Sequence, residues 1–369
     1  MSKRRFSAVD LFCGVGGFSL GVEAAGFGIV LAVDSDPVNS RAYAVNFPDT
    51  AVLTADVRDL TGGEMLASIG ATKGGLDLVI AGPPCQGFSV IGKKNATDAR
   101  NELILEVARL VRELQPAYFV VENVPGILSA RAACYRKRFM SAVAEGGYSV
   151  VLPIATLDAS NYGVPQRRRR TFILGYRRNL RAPEYPSVLR NGRLCVWDAL
   201  ADLACIDENL EALHGDTYTG TLGKPSSYAR KLRLRASDRG AALFHGRTRK
   251  LNGCATASHT PEVVERFRRT EPGTTEPISR FPRLQKAGLS PTLRAGTGPS
   301  AGSFTAPRPI HPTRPRCVTV REGARLQSFP DWFWFDPTKW HGFRQVGNAV
   351  PPLLARAVAS AIMVALEPR

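Results

Sequence analysis

The sequence predicts a doubly wound α/β protein: a Rossmann-like, largely parallel sheet with helices on both faces, joined to a second, smaller and irregular domain. Three observations lead there. Short apolar, β-rich runs alternate with stretches whose apolar residues recur at helical spacing, the βαβ pattern of a parallel sheet. A glycine turn, Cys13-Gly14-Val15-Gly16-Gly17, joins the first such run to the first helical stretch, and Asp34 closes the next run about 20 residues on, an arrangement that binds an adenosine-bearing cofactor. After Tyr176, Pro, Gly and short polar stretches break the regular pattern as far as Arg316.

Ala8 to Phe12 is the first strand, and Phe18 to Ala25 is the helix after the glycine turn. Glycines there let the backbone approach a ligand, and a helix N-terminus favours a negative group, although such a turn alone is equally a tight structural connection. Ile29 to Val33 is the second strand, placing the Asp34 carboxylate where it can accept from ribose hydroxyls. Thr50 to Leu53 is the third, followed by Asp56. Leu76 and Leu78 to Ala81 form a buried strand that runs into Gly82-Pro83-Pro84-Cys85-Gln86-Gly87-Phe88-Ser89. The prolines fix φ and remove backbone donors, so the turn is stiff, and Cys85 falls at a strand's carboxyl end, where open sheets place ligands. A thiol on such a mount suits a nucleophile; taken alone it reads as a small buried hydrophobe.

Val90 to Arg100 is a long polar loop, a lid or simply disordered chain. Leu103, Val107, Leu110, Val111 and Leu114 mark a helix with a core-facing stripe. Tyr118 to Val121 is the next strand, ending in Glu122-Asn123-Val124-Pro125, so that a carboxylate again lies at a strand's carboxyl end. Arg131 to Glu145 reads as a helix, Ser149 to Leu157 as a strand, and Thr171 to Leu174 as another, entered from Gln166 and the four arginines Arg167 to Arg170. Alternation along a strand sends Arg168 and Arg170 to one face and Arg167 and Arg169 to phosphate or solvent. Lys231, Arg233 and Arg235 alternate as on a strand face, Asp331 to Phe335 is an aromatic cluster read as packing, and Leu353 to Leu366 is the final helix.

With 369 residues the chain suits one or two domains, and 49 Lys and Arg against 32 Asp and Glu leave it at +17. Such a balance points to a polyanionic partner. The excess is concentrated: Arg177 to Arg316 holds 24 basic and 12 acidic residues, mostly arginine, which suits phosphate forks and guanine edges. Seven scattered cysteines without a C-x-x-C pair indicate a reducing compartment, no disulfide framework and no metal site. No signal-peptide core follows the basic start and no run reaches about 18 apolar residues, so a soluble intracellular protein without membrane contact is expected.

The Pro-Pro-Cys-Gln turn together with the Glu-Asn-Val strand end resembles the cytosine-5 methyltransferases, which methylate carbon 5 of cytosine in nucleic acid with S-adenosylmethionine. Asp10 to Gly21 (DLFCGVGGFSLG) resembles the family's cofactor loop, Gln166 to Arg170 its Gln-x-Arg-x-Arg motif, and Val318 to Asp331 and Gln345 to Pro352 two further blocks, so only the middle of the chain is unassigned in detail. The resemblance implies Cys85, Glu122, Arg168 and Arg170 as the catalytic set, with Arg170 on the target base and Arg168 supporting it. For the cofactor it implies Phe12, Gly14, Val15, Gly17, Asp34, Ser35, Asp56, Val57, Pro84, Leu103, Asn348 and Ala349; for DNA, Gln86 and Ser89. Ser35 stands where relatives often carry a large apolar residue. Residues 1–190 plus 340–369 would form the catalytic domain and 191–339 the target-recognition domain and hinge. A prokaryotic cytoplasmic enzyme associated with the nucleoid is implied, a monomer acting on double-stranded DNA, without a metal, as the modification half of a restriction system whose endonuclease works separately.

The chemistry explains why those residue types are needed. Carbon 5 of cytosine is a poor nucleophile, and addition of a thiolate at carbon 6 turns the ring into an enamine-like one. A carboxylic acid near ring nitrogen 3 can stabilise the adduct, and an arginine can bind the ring carbonyl. Carbon 6 is hidden in a stacked duplex, so the base must be flipped out.

Overall fold

The computed structural model describes residues 6–84, 102–189, 194–233, 250–296 and 308–367. By internal packing the chain forms two units, Met1–Asp158, Arg169–Val188 and Leu354–Arg369 in the first, Ala159–Arg168 and Leu189–Leu353 in the second.

In chain order the first unit contains β1 (Phe6–Leu11), α1 (Gly17–Ala24), β2 (Phe27–Asp34), α2 (Pro37–Asn46), β3 (Ala51–Thr54), α3 (Gly62–Ser68), β4 (Leu78–Ala81), α4 (Leu103–Leu114), β5 (Tyr118–Asn123), α5 (Ala133–Glu145), β6 (Tyr148–Val150), β7 (Ala155–Asp158) and β8 (Arg169–Arg177). The sheet runs β3-β2-β1-β4-β5-β8-β6, with β7 also paired to β8. Neighbours from β3 to β5 are parallel, and β8 is antiparallel to β5, β6 and β7. This is the expected doubly wound α/β sheet, with an antiparallel edge added. β4 is buried along its whole length, as a strand covered by helices on both faces must be. The stripe of α4, Leu103, Val107, Leu110, Val111 and Leu114, packs into the same core as Val79, Ala81, Phe119 and Val121.

One predicted strand is two. Ser149 to Leu157 divides into β6 and β7, because Pro153 between them offers no N–H to the ladder. The strand foreseen at Thr171 to Leu174 is longer, and it begins at Arg169, so Arg168 precedes it and the alternation drawn across Arg168 and Arg170 does not hold.

The second unit contains α6 (Val196–Leu200), a two-stranded ribbon of β9 (Leu213–His214) and β10 (Thr217–Tyr218), α7 (Ser227–Leu232), α8 (Pro261–Arg269), α9 (Val320–Leu326) and α10 (Lys339–Asn348), after which α11 (Pro352–Leu366) returns the chain to the first unit from Leu354. There Tyr118 of β5 donates to the Ala365 carbonyl at 3.2 Å. Every residue of α9 is buried, including Arg321, Glu322 and Arg325. Such charges persist in a core only when partnered. Arg325 pairs with Asp331 at 2.5 Å and Asp202 at 3.2 Å, Glu322 with Arg316 at 2.8 Å, and Arg321 donates to the carbonyls of Asn252, Pro330 and Phe333. Phe333 and Phe335 are buried, in line with packing. The strand face proposed for Lys231, Arg233 and Arg235 is corrected: Lys231 lies in α7, whose start Ser226 caps, Arg233 turns to the buried Asp202 at 2.9 Å, and Arg235 lies outside the described residues. Within Lys339–Leu366, which spans α10 and α11, an 18-residue stretch is apolar enough to cross a membrane, and half of it is buried inside the protein.

Candidate active site

Chain order reverses between β1 and β4: β2 and β3 lie to one side, β5 to the other. Loops leaving the carboxyl ends of β1 and β4 therefore diverge, and the crevice between them is where an open α/β sheet binds ligands. The two stretches richest in predicted site residues leave from these two ends.

The loop after β1 is held in an unusual shape, with φ of 60° at Phe12, 54° at Gly14 and 98° at Gly16. Gly16 cannot carry a side chain, since a Cβ would meet Phe47 Cε2 at 2.2 Å, whereas at Gly14 a Cβ would meet nothing within 4 Å. Asp34, ending β2, accepts from Gly14 N at 2.8 Å and Asp36 N at 2.9 Å. Burial raises its carboxyl above the ordinary value, and these N–H groups oppose the rise. Val15 and Gly17 are buried, Phe12 is half-buried and Ser35 is exposed. Asp56 caps the turn Val57–Asp59 and pairs with Arg58 at 2.6 Å; these hydrogen bonds hold its carboxyl below the usual range. Val57 is buried and Leu103 packs in the core.

At the end of β4, Gly82 lies beside Glu122, whose Oε2 is 3.7 Å from where a Cβ would stand. Glu122 occupies the next-to-last position of β5 and pairs with Arg170 of β8, Oε1 to Nε at 2.8 Å, both side chains largely buried. Burial pushes the Arg170 guanidinium down and Glu122 pulls it back up; a guanidinium stays charged. Asn123, also buried, donates to the Pro83 carbonyl at 3.3 Å and so ties the Pro-Pro turn to β5. Pro84 is exposed; Cys85, Gln86, Ser89 and the loop to Arg100 lie outside the described residues.

Arg168 belongs to the second unit, where it is buried and donates to the carbonyls of Leu293 at 3.0 Å, Gly347 at 2.8 Å and Ala349 at 2.9 Å. Asn348, last residue of α10, is exposed. The first unit thus brings together the β1 loop, Asp34, the Gly82-Pro83-Pro84 turn, Glu122 and Arg170, while Arg168, Asn348 and Ala349 sit in the second. Sequence reasoning gave Asn123 no role, though its place in the Glu-Asn-Val strand end was the available signal. Asp10, Ser19 and Tyr43 were missed too. They form a buried chain, Tyr43 Oη donating to Ser19 Oγ at 2.7 Å and Ser19 Oγ to Asp10 Oδ2 at 2.6 Å.

A buried carboxylate–guanidinium pair beside a rigid turn can orient a flat polar ring through its amide-like edge. A family profile of the C-5 cytosine-specific DNA methylases matches residues 6–364. The chain belongs to this family. This methylase is 47% identical over 364 residues to the Type II methyltransferase M.XorII of Xanthomonas oryzae pv. oryzae, covering 97% of the chain and 85% of the relative. It is 33% identical to M.DdeI of Desulfomicrobium norvegicum, covering 96% and 88% of the two. Among solved structures it is similar to a candidate DNA modification methyltransferase encoded within an E. coli prophage, with a TM-score of 0.82, 34% identity and coverage of 98% and 99%. A Spodoptera frugiperda DNMT2 structure, TM-score 0.59 at 18% identity and covering 97% and 99%, shares the fold. The methylase transfers a methyl group from S-adenosylmethionine to carbon 5 of cytosine in DNA. The β1 loop fits that cofactor: its backbone is open at Gly14, and the Asp34 carboxylate stands at the adjoining strand end.

Proposed function

We propose that the methylase acts on a flipped-out cytosine within a specific duplex sequence through a covalent adduct with Cys85. The observation that carries this reading is the Glu122–Arg170 pair, fixed at 2.8 Å beside Gly82, three residues before Cys85 in sequence. Cys85 as thiolate adds to ring carbon 6, and the electrons of the carbon 5–carbon 6 double bond move to carbon 5. Carbon 5 would then bond to the electrophilic methyl group that S-adenosylmethionine supplies, the sulfur–methyl bond breaking with its electron pair left on sulfur and S-adenosylhomocysteine departing. Loss of the carbon 5 proton restores the double bond and expels Cys85. Glu122 faces ring nitrogen 3 and the amino group, and Arg170 the ring carbonyl. Arg168 supports Arg170 from two residues away.

Phe12, Gly14, Val15 and Gly17 line the cofactor site in this reading, Asp34 takes the ribose, Asp56 and Val57 the adenine edge, and Ser35, Pro84, Leu103, Asn348 and Ala349 complete it. Gln86 and Ser89 touch DNA. Residues 191–316 carry sequence choice. Within them the hairpin Gly273–Arg283 has the right build: Glu276 is buried at 1% exposure, pairs with Arg266 at 3.3 Å and bonds to Ser279, while Ile278 at the tip is 69% exposed and Arg280 is exposed with φ 57°. A stiff tip with an apolar residue and an arginine suits a base step and a phosphate. Because its relatives are Type II methyltransferases, the enzyme is read as the modification half of a restriction system, a monomer on nucleoid DNA in a prokaryotic cytoplasm with a separate endonuclease.

Tritiated S-adenosylmethionine offered with duplex DNA or tRNA tests the substrate. Label in duplex DNA, mapped to one sequence by bisulfite reading, is expected; label in tRNA alone would contradict it.

A further inference from the structure

The Tyr43–Ser19–Asp10 chain is not used by the reading above. Its three side chains are buried and come from α2, α1 and β1. Burying three polar groups where apolar ones could join the same elements is costly unless their geometry serves something. The Tyr43 ring shows what that is. It stacks on Phe47 with centroids 4.4 Å apart and planes 28° apart. Gly16 rests on this stack so closely that a Cβ would lie 2.2 Å from Phe47 Cε2 and 3.0 Å from Tyr43 Cε2.

The β1–α1 loop is left-handed at Phe12, Gly14 and Gly16, a shape that persists only where its surroundings over-determine it. Two holds do so. Asp34 accepts from Gly14 N, and the Tyr43–Phe47 stack supports Gly16, its height set by the hydroxyl that runs through Ser19 to Asp10 at the loop's own root. We infer that Tyr43, Ser19 and Asp10 are positioning residues for S-adenosylmethionine: they preform the loop and act on cofactor affinity, not on the transfer step. A site ordered beforehand loses less freedom on binding, so breaking the chain moves that ordering into the binding event. This inference rests on the reading of the β1 loop as the cofactor site.

Tyr43→Phe removes one oxygen and keeps the stack. Calorimetry should show the Kd for S-adenosylmethionine rising about five- to tenfold, the size of one lost buried hydrogen bond. Its KM should rise in step, while kcat at saturating cofactor and KM for DNA stay put. Ser19→Ala, one link along, should give the same split, and the double variant should be no weaker than the worse single, since links in series do not add. A hydroxyl with a merely structural role would lower Tm and leave Kd within about twofold of wild type; that result, or a fall in kcat with Kd kept, overturns the inference. Should Tyr43→Phe fail to fold, Ser19→Ala read in the same way decides. Asp34→Ala separates the two failures: if it weakens binding and Tyr43→Phe does not, the relay alone is wrong; if neither does, the loop is not the cofactor site and both fall.

Discussion

Glu122 and Arg170 hold each other at 2.8 Å, and in the proposed reading the substrate ring meets this carboxylate and guanidinium already oriented. Glu122→Gln keeps the shape and removes the ability to cycle a proton, and the turnover number should fall by about 10²- to 10⁴-fold. A loss under about threefold would reassign Glu122 to structure. Asp10 makes a separate prediction about pH. Burial, with Asp34 nearby, pushes its carboxyl up to about 8 against the hydrogen bond from Ser19. The folded protein therefore holds a proton that the unfolded chain has released above about 4, and stability falls as pH climbs from about 4 to 8. Asp10→Asn keeps an acceptor for Ser19 and cannot ionise, so urea midpoints measured across that range should fall less steeply than in wild type, the slope that remains including the part buried Asp34 contributes in both proteins.

At the scale of elements, strand ends were legible and side-chain partners were not. Short apolar runs ending in Asp34, Glu122 and the Pro-Pro turn located β2, β5 and β4, because a strand buried on both faces leaves a compositional mark. Arg168 left no such mark. A run of four arginines reads as alternation on one strand, yet Arg168 precedes β8 and closes on three carbonyls from two segments of the second unit that are distant in sequence. The strand face read across Lys231 and Arg233 fails likewise, since Lys231 lies in α7 and Arg233 is drawn off by the buried Asp202. Arg168→Ala would orphan three carbonyls and should cost about 3 kcal/mol or more, read as a lower urea midpoint at unchanged m-value.

For the whole molecule, +17 of net charge and a middle segment rich in arginine predict DNA affinity that falls steeply with salt. Exchanging residues 191–316 for the equivalent segment of a relative with another target should move the methylated site and leave the chemistry intact; a chimera that folds, methylates and still marks the original sequence would place specificity elsewhere, first in the Val90 to Arg100 loop. Covalent attack by Cys85 is the central step of the proposed reaction. Duplex DNA in which cytosine is replaced by 5-fluorocytosine isolates that step, since fluorine cannot leave carbon 5 as a cation and the final elimination stalls. Incubated with S-adenosylmethionine and analysed by mass spectrometry under denaturing conditions, the wild-type enzyme should carry the DNA on the peptide that contains Cys85, and Cys85→Ala should carry none. An enzyme active on normal DNA that forms no adduct, or an adduct that survives Cys85→Ala, would contradict it.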